Sequence, residues 1–357
     1  MSLQVLAIIP ILSLLMFVHE LGHFLTARRA GIVVQEFGFG LPPRIFGIKR
    51  NGVIYSLNWI PFGAFVKMLG EEDPSAPGSF ASKSRLTRAM VLIAGSGMNF
   101  LTAGVVFALA FASGWPSPIE NEVEVAQVAP DSPAETAGLL AGDIVLEMNG
   151  KPITRVDDFR QITRDGVGTA IDVRVQRADQ IVNLTVTPRS NPPQGQGAVG
   201  VAIRPPIRAV RHNPIESVLL GFARAVAVVG FTLAAPVLAI QGIVSPDMLR
   251  PIGLPGMAQV ASQAVDFASD TGFIFPILTV TATFSAGLAI ANMLPLPALD
   301  GGRLFFILVE AVRGRRINPE RESLFHFVGI VVLITLMVLI SLNDIQNPLP
   351  TIDWGVR

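Results

Sequence analysis

The feature that most constrains this chain is a set of long apolar stretches at 5–27, 90–115, 273–294 and 324–342. A bilayer core of ~30 Å needs about 20 mostly apolar residues per crossing helix, and each stretch is long enough. With 15% charged residues against 50% hydrophobic, the 357-residue chain is too apolar for an ordinary soluble enzyme. Its 27 basic and 27 acidic residues cancel, so no net charge draws it to nucleic acid. It has no cysteine, which excludes disulfides, thiolate metal sites and a cysteine nucleophile.

Charge bias orients these stretches. Nine Lys/Arg against four Asp/Glu lie between the first two, which predicts a cytoplasmic loop there and an N-terminus outside. Residues from 116 onward then begin outside, with Glu120, Glu122 and Glu124, while the basic cluster Arg313, Arg315 and Arg316 is cytoplasmic again. An odd number of crossings must separate the two, and 273–294 supplies one. A fifth apolar stretch, 218–240, holds Arg224 and Pro236 and is therefore expected to lie on the outer surface as an interfacial amphipathic helix, or to re-enter, without crossing. The expected fold is membrane α-helical, with four transmembrane helices and both termini outside. The first stretch lacks a basic leader and a small-residue cleavage site, so it is expected to remain as a span.

Inside that first span stands His19-Glu20-Leu21-Gly22-His23. Two histidines four apart share one helical face, where both imidazoles can reach one Zn2+ while the glutamate between them sits beside the water such a metal activates. Three ionisable residues within five positions of a membrane helix are costly unless they serve a site. A catalytic zinc takes three protein ligands, and the third is expected to be Asp300, the one acid in the apolar run 271–302, on the same membrane side as the histidines. His212 precedes Asn213-Pro214 in an interfacial turn and His326 lies near the start of the fourth stretch, and both are expected to be anchors at helix ends rather than ligands.

Two further regions carry patterns. Residues 44–49 and 53–59 flank Arg50-Asn51-Gly52, a strong hairpin signal, and Val53, Tyr55, Leu57 and Trp59 alternate as an apolar face. A membrane-associated β-hairpin is expected there, with Val53, Tyr55 and Leu57 receiving an unwound substrate as an added strand. Residues 118–207 turn charged, with alternating runs such as 122–125 and 172–175. The segments 132–145 and 148–153 resemble a bacterial-type PDZ domain, a mixed α+β fold that takes peptides by strand addition. The expected order is a first core half at 1–117, the PDZ insert at 118–207, interfacial helix and linker at 208–271, a second core half at 272–345 and a tail at 346–357.

Taken with GSGMN at 95–99, PIG at 251–253 and NMLPLPALDGG at 292–302, the HELGH motif gives the chain a close resemblance to the site-2 protease family of intramembrane zinc metalloproteases, in particular its bacterial RseP-type branch with a single PDZ domain. The resemblance covers nearly the whole chain. It implies hydrolysis of a peptide bond within or beside a substrate's transmembrane helix, with His19, His23 and Asp300 holding zinc and Glu20 as general base. It makes Asn99 and Asn292 contacts for substrate backbone, and places a re-entrant β-element at the hairpin. Substrates of the implied kind are single-pass membrane proteins such as an anti-sigma factor, signal-peptide remnants, or pheromone precursors. The implied setting is the lipid of the bacterial cytoplasmic (inner) membrane, with the PDZ domain outside and open to a peptide ligand. Ser96, where proline is frequent, and Arg303, where many relatives read His, depart from the pattern without touching the ligands. A noncatalytic membrane PDZ scaffold and a metal-dependent transporter are the competing readings.

Overall fold

A computed structural model describes residues 7–71, 75–315 and 319–356. In chain order the elements are α1 (Ile8–Arg29), β1 (Val34–Arg50), β2 (Val53–Met68) and α2 (Arg85–Gly114), then β3 (Trp115–Pro118), β4 (Val123–Val128), α3 (Pro133–Thr136), β5 (Ile144–Met148), β6 (Lys151–Pro152), α4 (Val156–Asp165), β7 (Ile171–Arg177), β8 (Gln180–Val186), β9 (Val201–Arg204) and β10 (Ile207–Val210). Among the described residues there follow α5 (Pro214–Ile240), a short 3-10 helix (Pro246–Leu249), α6 (Leu254–Thr271), α7 (Phe275–Met293), α8 (Asp300–Arg313) and α9 (Pro319–Gln346). They form two compact units, 1–114 with 211–352, and 115–210 with 353–357.

The first unit is helical. Among the described residues α1, α2, α5, α7 and α9 are long and apolar enough to cross a membrane. Local chemistry sets their ends. Arg28 and Arg29 close α1 where the helix dipole favours cations. The Ser84 hydroxyl accepts the Thr87 N–H at the start of α2, and Asn213 accepts that of Glu216 before Pro214 opens α5. Helices α1 and α2 run antiparallel, His23 lying against Val91 and His19 against Asn99. Of the basic cluster expected at the cytoplasmic face, Arg313 closes α8, whereas Arg316 lies outside the described residues, as do Val5 and Leu6 of the first apolar stretch.

Of the two arrangements expected for the 218–240 stretch, the amphipathic surface helix does not fit α5. Far from having one polar and one apolar face, α5 exposes Val218, Leu219, Val226, Phe231, Leu233 and Val237 around its girth, so it is not an amphipathic surface helix. It packs lengthwise on α2, where Gly221 meets the backbone of Gly104 and Ala108 and the Phe222 ring covers Gly104. Charge bias counts net crossings only, and so says nothing of a helix laid along α2 in this way.

The β-element is also richer than one hairpin. Arg44–Arg50 does fold back on Val53–Asn58 across Asn51 and Gly52, both at positive φ. Residues 36–39, however, pair on one side with 54–57 and on the other with 64–67, so that Phe37 lies between Tyr55 and Val66. The run 53–57 therefore has partners at both edges and cannot accept an added strand. Val53 is instead buried with Phe24 and Phe37, and Tyr55 packs edge-on to Phe24 at 6.0 Å; Leu57 is exposed. The two outer edges are 44–50 and 64–68, and of these 64–68 is the one that lies against Glu20. The cause is the bend around Leu41–Pro43, which tucks the start of β1 into the sheet.

The second unit is a six-stranded sheet ordered β8-β7-β5-β4-β9, with β6 on β5, and β3 pairs with β10 apart from it. Alternating residues put Val123, Val125, Val145, Val173 and Val175 in one core with Met148, Phe159 and Ile171. Asp143 is fully buried, accepting the Leu140 N–H and a two-point contact from Arg177. The C-terminal residues do not form a separate tail. Leu349 exchanges two hydrogen bonds with the Gln259 side chain, Ile352 donates to Gln263, and 353–357 join the second unit.

Candidate metal centre

Helix α1 carries His19, Glu20 and His23, whose ligand atoms lie within 4.8 Å of one another. One turn apart on the same face, the two imidazoles meet edge-on with centroids 4.7 Å apart. Such an approach needs a neighbouring helix without bulk. At Gly95 a Cβ would stand 2.4 Å from His23 Nε2 and 2.7 Å from His19 Cε1, so the first glycine of GSGMN is where α2 makes room for both rings.

Asp300 comes from 281 residues away in sequence. After α7 ends, 294–299 turn back with Ala298 at φ 68°, and α8 begins at Asp300 itself. The two glycines that follow allow this tight return, because a Cβ on Gly301 or Gly302 would lie 2.2 Å from the carbonyl oxygen of Leu294 or Leu296. His326 is not free, since its Nδ1 accepts the Ala298 N–H at 2.8 Å and so pins the loop from α9. One turn beyond Asp300, Arg303 reaches Glu71 at 2.7 Å, tying α8 to the segment after β2. The result brings Asp300 Oδ2 to 3.0 Å from His19 Nε2 and 3.1 Å from His23 Nε2, with the two Nε2 atoms 3.1 Å apart.

These distances test the fit of a metal. Three donors at the corners of a near-equilateral triangle are close to the edge of about 3.3 Å expected between ligands of a tetrahedral zinc with bonds of about 2.0–2.1 Å. Two imidazoles and one carboxylate are also the donor chemistry that zinc takes. The outer nitrogen of His23 agrees, since Nδ1 donates to the Val91 carbonyl at 2.8 Å and leaves Nε2 its lone pair. Glu20 keeps a carboxylate oxygen within 4.8 Å of the imidazole nitrogens, and its Oε2 accepts the Val66 N–H at 3.0 Å from the 64–68 edge of the sheet.

The remaining expected residues divide. Asn99 is fully buried beside His19, at 3.3 Å from Nδ1. Asn292 is half-buried on the last turn of α7 and, among the described residues, has no hydrogen bond to the histidines, Glu20 or Asp300. Val53, Tyr55 and Leu57 lie inside the sheet rather than at an outer edge. Sequence reasoning missed the edge 64–68, the carbonyl of Val91, and the loop-pinning role of His326. The glycine of GSGMN was the one available signal, because a small residue in a membrane helix marks close approach.

Comparison with known proteins places the chain in a family. The profile of peptidase family M50 matches residues 7–336. A Clostridium perfringens protein named as a zinc metalloprotease is 34% identical over 342 residues, covering 94% of this chain and 97% of that one. The zinc metalloprotease RasP of Oceanobacillus iheyensis is 29% identical over 435 aligned positions, covering 96% and 99%. The regulator of sigma-W protease RasP of Bacillus subtilis is 28% identical over 433, covering 96% and 98%. With a profile match along most of its length and apolar helices that fit a multi-pass membrane protein, the chain belongs to peptidase family M50, the site-2 proteases, and is a zinc metalloprotease.

Proposed function

We propose that this chain is an endopeptidase that cuts a peptide bond within or beside the transmembrane segment of a membrane-protein substrate, with His19, His23 and Asp300 holding zinc and Glu20 as general base. The observation that carries this is the convergence of three donors, 3.0–3.1 Å apart, from two distant helices of a membrane unit, with a carboxylate on the same helical turn. When bound, zinc supplies Lewis acidity that activates a water and polarises the scissile carbonyl. Glu20 takes the proton from the attacking water and passes it to the leaving amine.

A helical substrate hides its carbonyls in its own hydrogen bonds, and freeing them in lipid is costly. The edge 64–68 offers replacement partners, and its Val66 N–H already lies against Glu20, so a strand added there runs beside the base. That edge takes over the role first expected of Val53, Tyr55 and Leu57.

The topology we favour has four net crossings, with termini and insert on the outer side of the bacterial cytoplasmic membrane. It is supported by α5, which starts where His212 N–H meets Phe111 O near the end of α2, and by α6, which packs on Ile8 and Leu12 at the start of antiparallel α1. The segment 214–253 thus leaves one end of the bundle and returns to it. The insert reads as a PDZ domain, β9 being an edge strand beside α4 with a cleft of about 470 Å3 lined by Phe159, Thr163 and Gly200, suited to an extended peptide. Since one relative is named a regulator of sigma-W protease, a single-pass regulator of a sigma factor is the first substrate to offer.

The test pairs zinc content with cleavage of a model transmembrane substrate by the full chain in detergent. Wild type should hold about one zinc and cleave. Glu20→Gln should keep the zinc while the rate falls about 10²–10⁴-fold, and Asp300→Ala should bind zinc far more weakly. Wild-type protein without zinc, or Glu20→Gln cleaving at the wild-type rate, would overturn the assignment.

A further inference from the structure

We propose that Asn99 is a positioning residue for His19, holding the imidazole so that Nε2 faces Asp300 and His23, rather than a contact for substrate backbone. The inference rests on the reading of His19 as a zinc ligand and goes beyond it. Asn99 sits on α2 one turn past Gly95, fully enclosed, with its amide 3.3 Å from His19 Nδ1. A side chain so enclosed and already on the outer nitrogen of a ligand is badly placed to meet a peptide.

The two histidines must present the same nitrogen. For His23 the choice is forced by a carbonyl: Val91 O can only accept, so Nδ1 carries the hydrogen and Nε2 keeps its lone pair. For His19 the partner is an amide, which can donate through Nδ2 or accept through Oδ1 after a half-turn of the side chain. Drawn with Nδ2 toward the ring, the amide asks Nδ1 to accept, and that moves the ring hydrogen to Nε2, where a ligand needs its lone pair. Turned over, Oδ1 accepts the Nδ1 hydrogen, and His19 matches His23. Nothing holds the amide in the first orientation, because Oδ1 is buried without a hydrogen-bond partner among the described residues. The residue itself is anchored, its backbone carbonyl accepting the hydroxyl of fully buried Ser285 from α7 at 2.7 Å. Helix α2 thus orients both ligands, through the Val91 carbonyl and through the Asn99 amide, two turns apart on one face.

Zinc affinity of the full chain in detergent, measured by competition with a chelator, separates this role from the alternatives. Asn99→Leu keeps the branching and heavy-atom count and removes the acceptor, so zinc should bind about 10–100-fold more weakly, the usual loss when a ligand's outer partner is removed. Asn99→Asp keeps an acceptor and should bind as tightly as wild type or tighter, which a role in packing alone would not give. Should leucine disturb the helix pairing, seen as a lower unfolding temperature of the zinc-free chain, Asn99→Ala makes the same comparison with aspartate. Unchanged zinc affinity in Asn99→Leu with a raised KM would overturn the proposal in favour of substrate contact, and an Asn99→Asp loss equal to that of leucine would overturn it too. Wild type binding no zinc would instead sink the reading of His19, a distinguishable result.

Discussion

In the insert Val123, Val125, Val145 and Val175 are enclosed, with Asp143 beside them paired to Arg177, whereas the membrane unit leaves large apolar side chains such as Leu336 and Leu339 exposed while enclosing Asn99, Ser285 and the two site histidines. The membrane unit's most apolar helix, α9, is exposed along nearly all of its apolar stretch, whereas α1 and α2 bury close to half of theirs. The same residue types thus do opposite things in the two regions. In water an apolar side chain is driven inward; in lipid it loses nothing by facing out, and helices are held by close packing of small residues and by polar contacts. The site follows from this, since the inside of a lipid-facing bundle is where a charged cluster can be enclosed and paired.

The sharpest way to break the contrast is a single methyl group inside the membrane unit. Gly95→Ala puts a Cβ against both imidazoles, and shifting them by ~1 Å should cost on the order of 10²-fold in cleavage rate, with zinc affinity falling alongside. Normal cleavage by this variant would mean that α1 and α2 separate easily and that the close approach is not needed. A smaller effect, and of another kind, is expected in the insert. Met148→Ala opens its core and should destabilise that unit by about 2–5 kcal/mol, read by hydrogen exchange on the full chain, with zinc content unchanged. Coupled loss of zinc would show that the units do not fold separately. The smallest effect belongs to Leu339→Ala on the exposed face of α9, expected within about 0.5 kcal/mol despite a greater change in bulk than Gly95→Ala. A large loss there would mean that this face is packed against something other than lipid.

Much of the site was legible because its chemistry is local or unique. His19, Glu20 and His23 are fixed in relation by helical periodicity alone, and Asp300 stood out as the one acid in a long apolar run. Asn51-Gly52 marked its turn correctly. What failed were the features set by return of the chain on itself. Nothing in 53–59 says that 34–39 will slide in alongside, and so the edge beside the site is 64–68, where Val66 meets Glu20. For α5, composition allowed a crossing and charge bias disfavoured one, but neither describes a helix laid along α2 through Gly104 and Gly221.

By itself, then, the sequence determined where the long apolar stretches lie and that His19, Glu20 and His23 share one helical turn, because hydropathy and i, i+4 spacing act over short range. Only the tertiary structure decided which sheet edge lies against Glu20, which carbonyl and which amide turn the two imidazoles, and how a loop pinned by His326 delivers Asp300 to within 3.1 Å of both. Those are contacts between residues far apart in the chain, and their geometry is set by packing, which no single segment encodes.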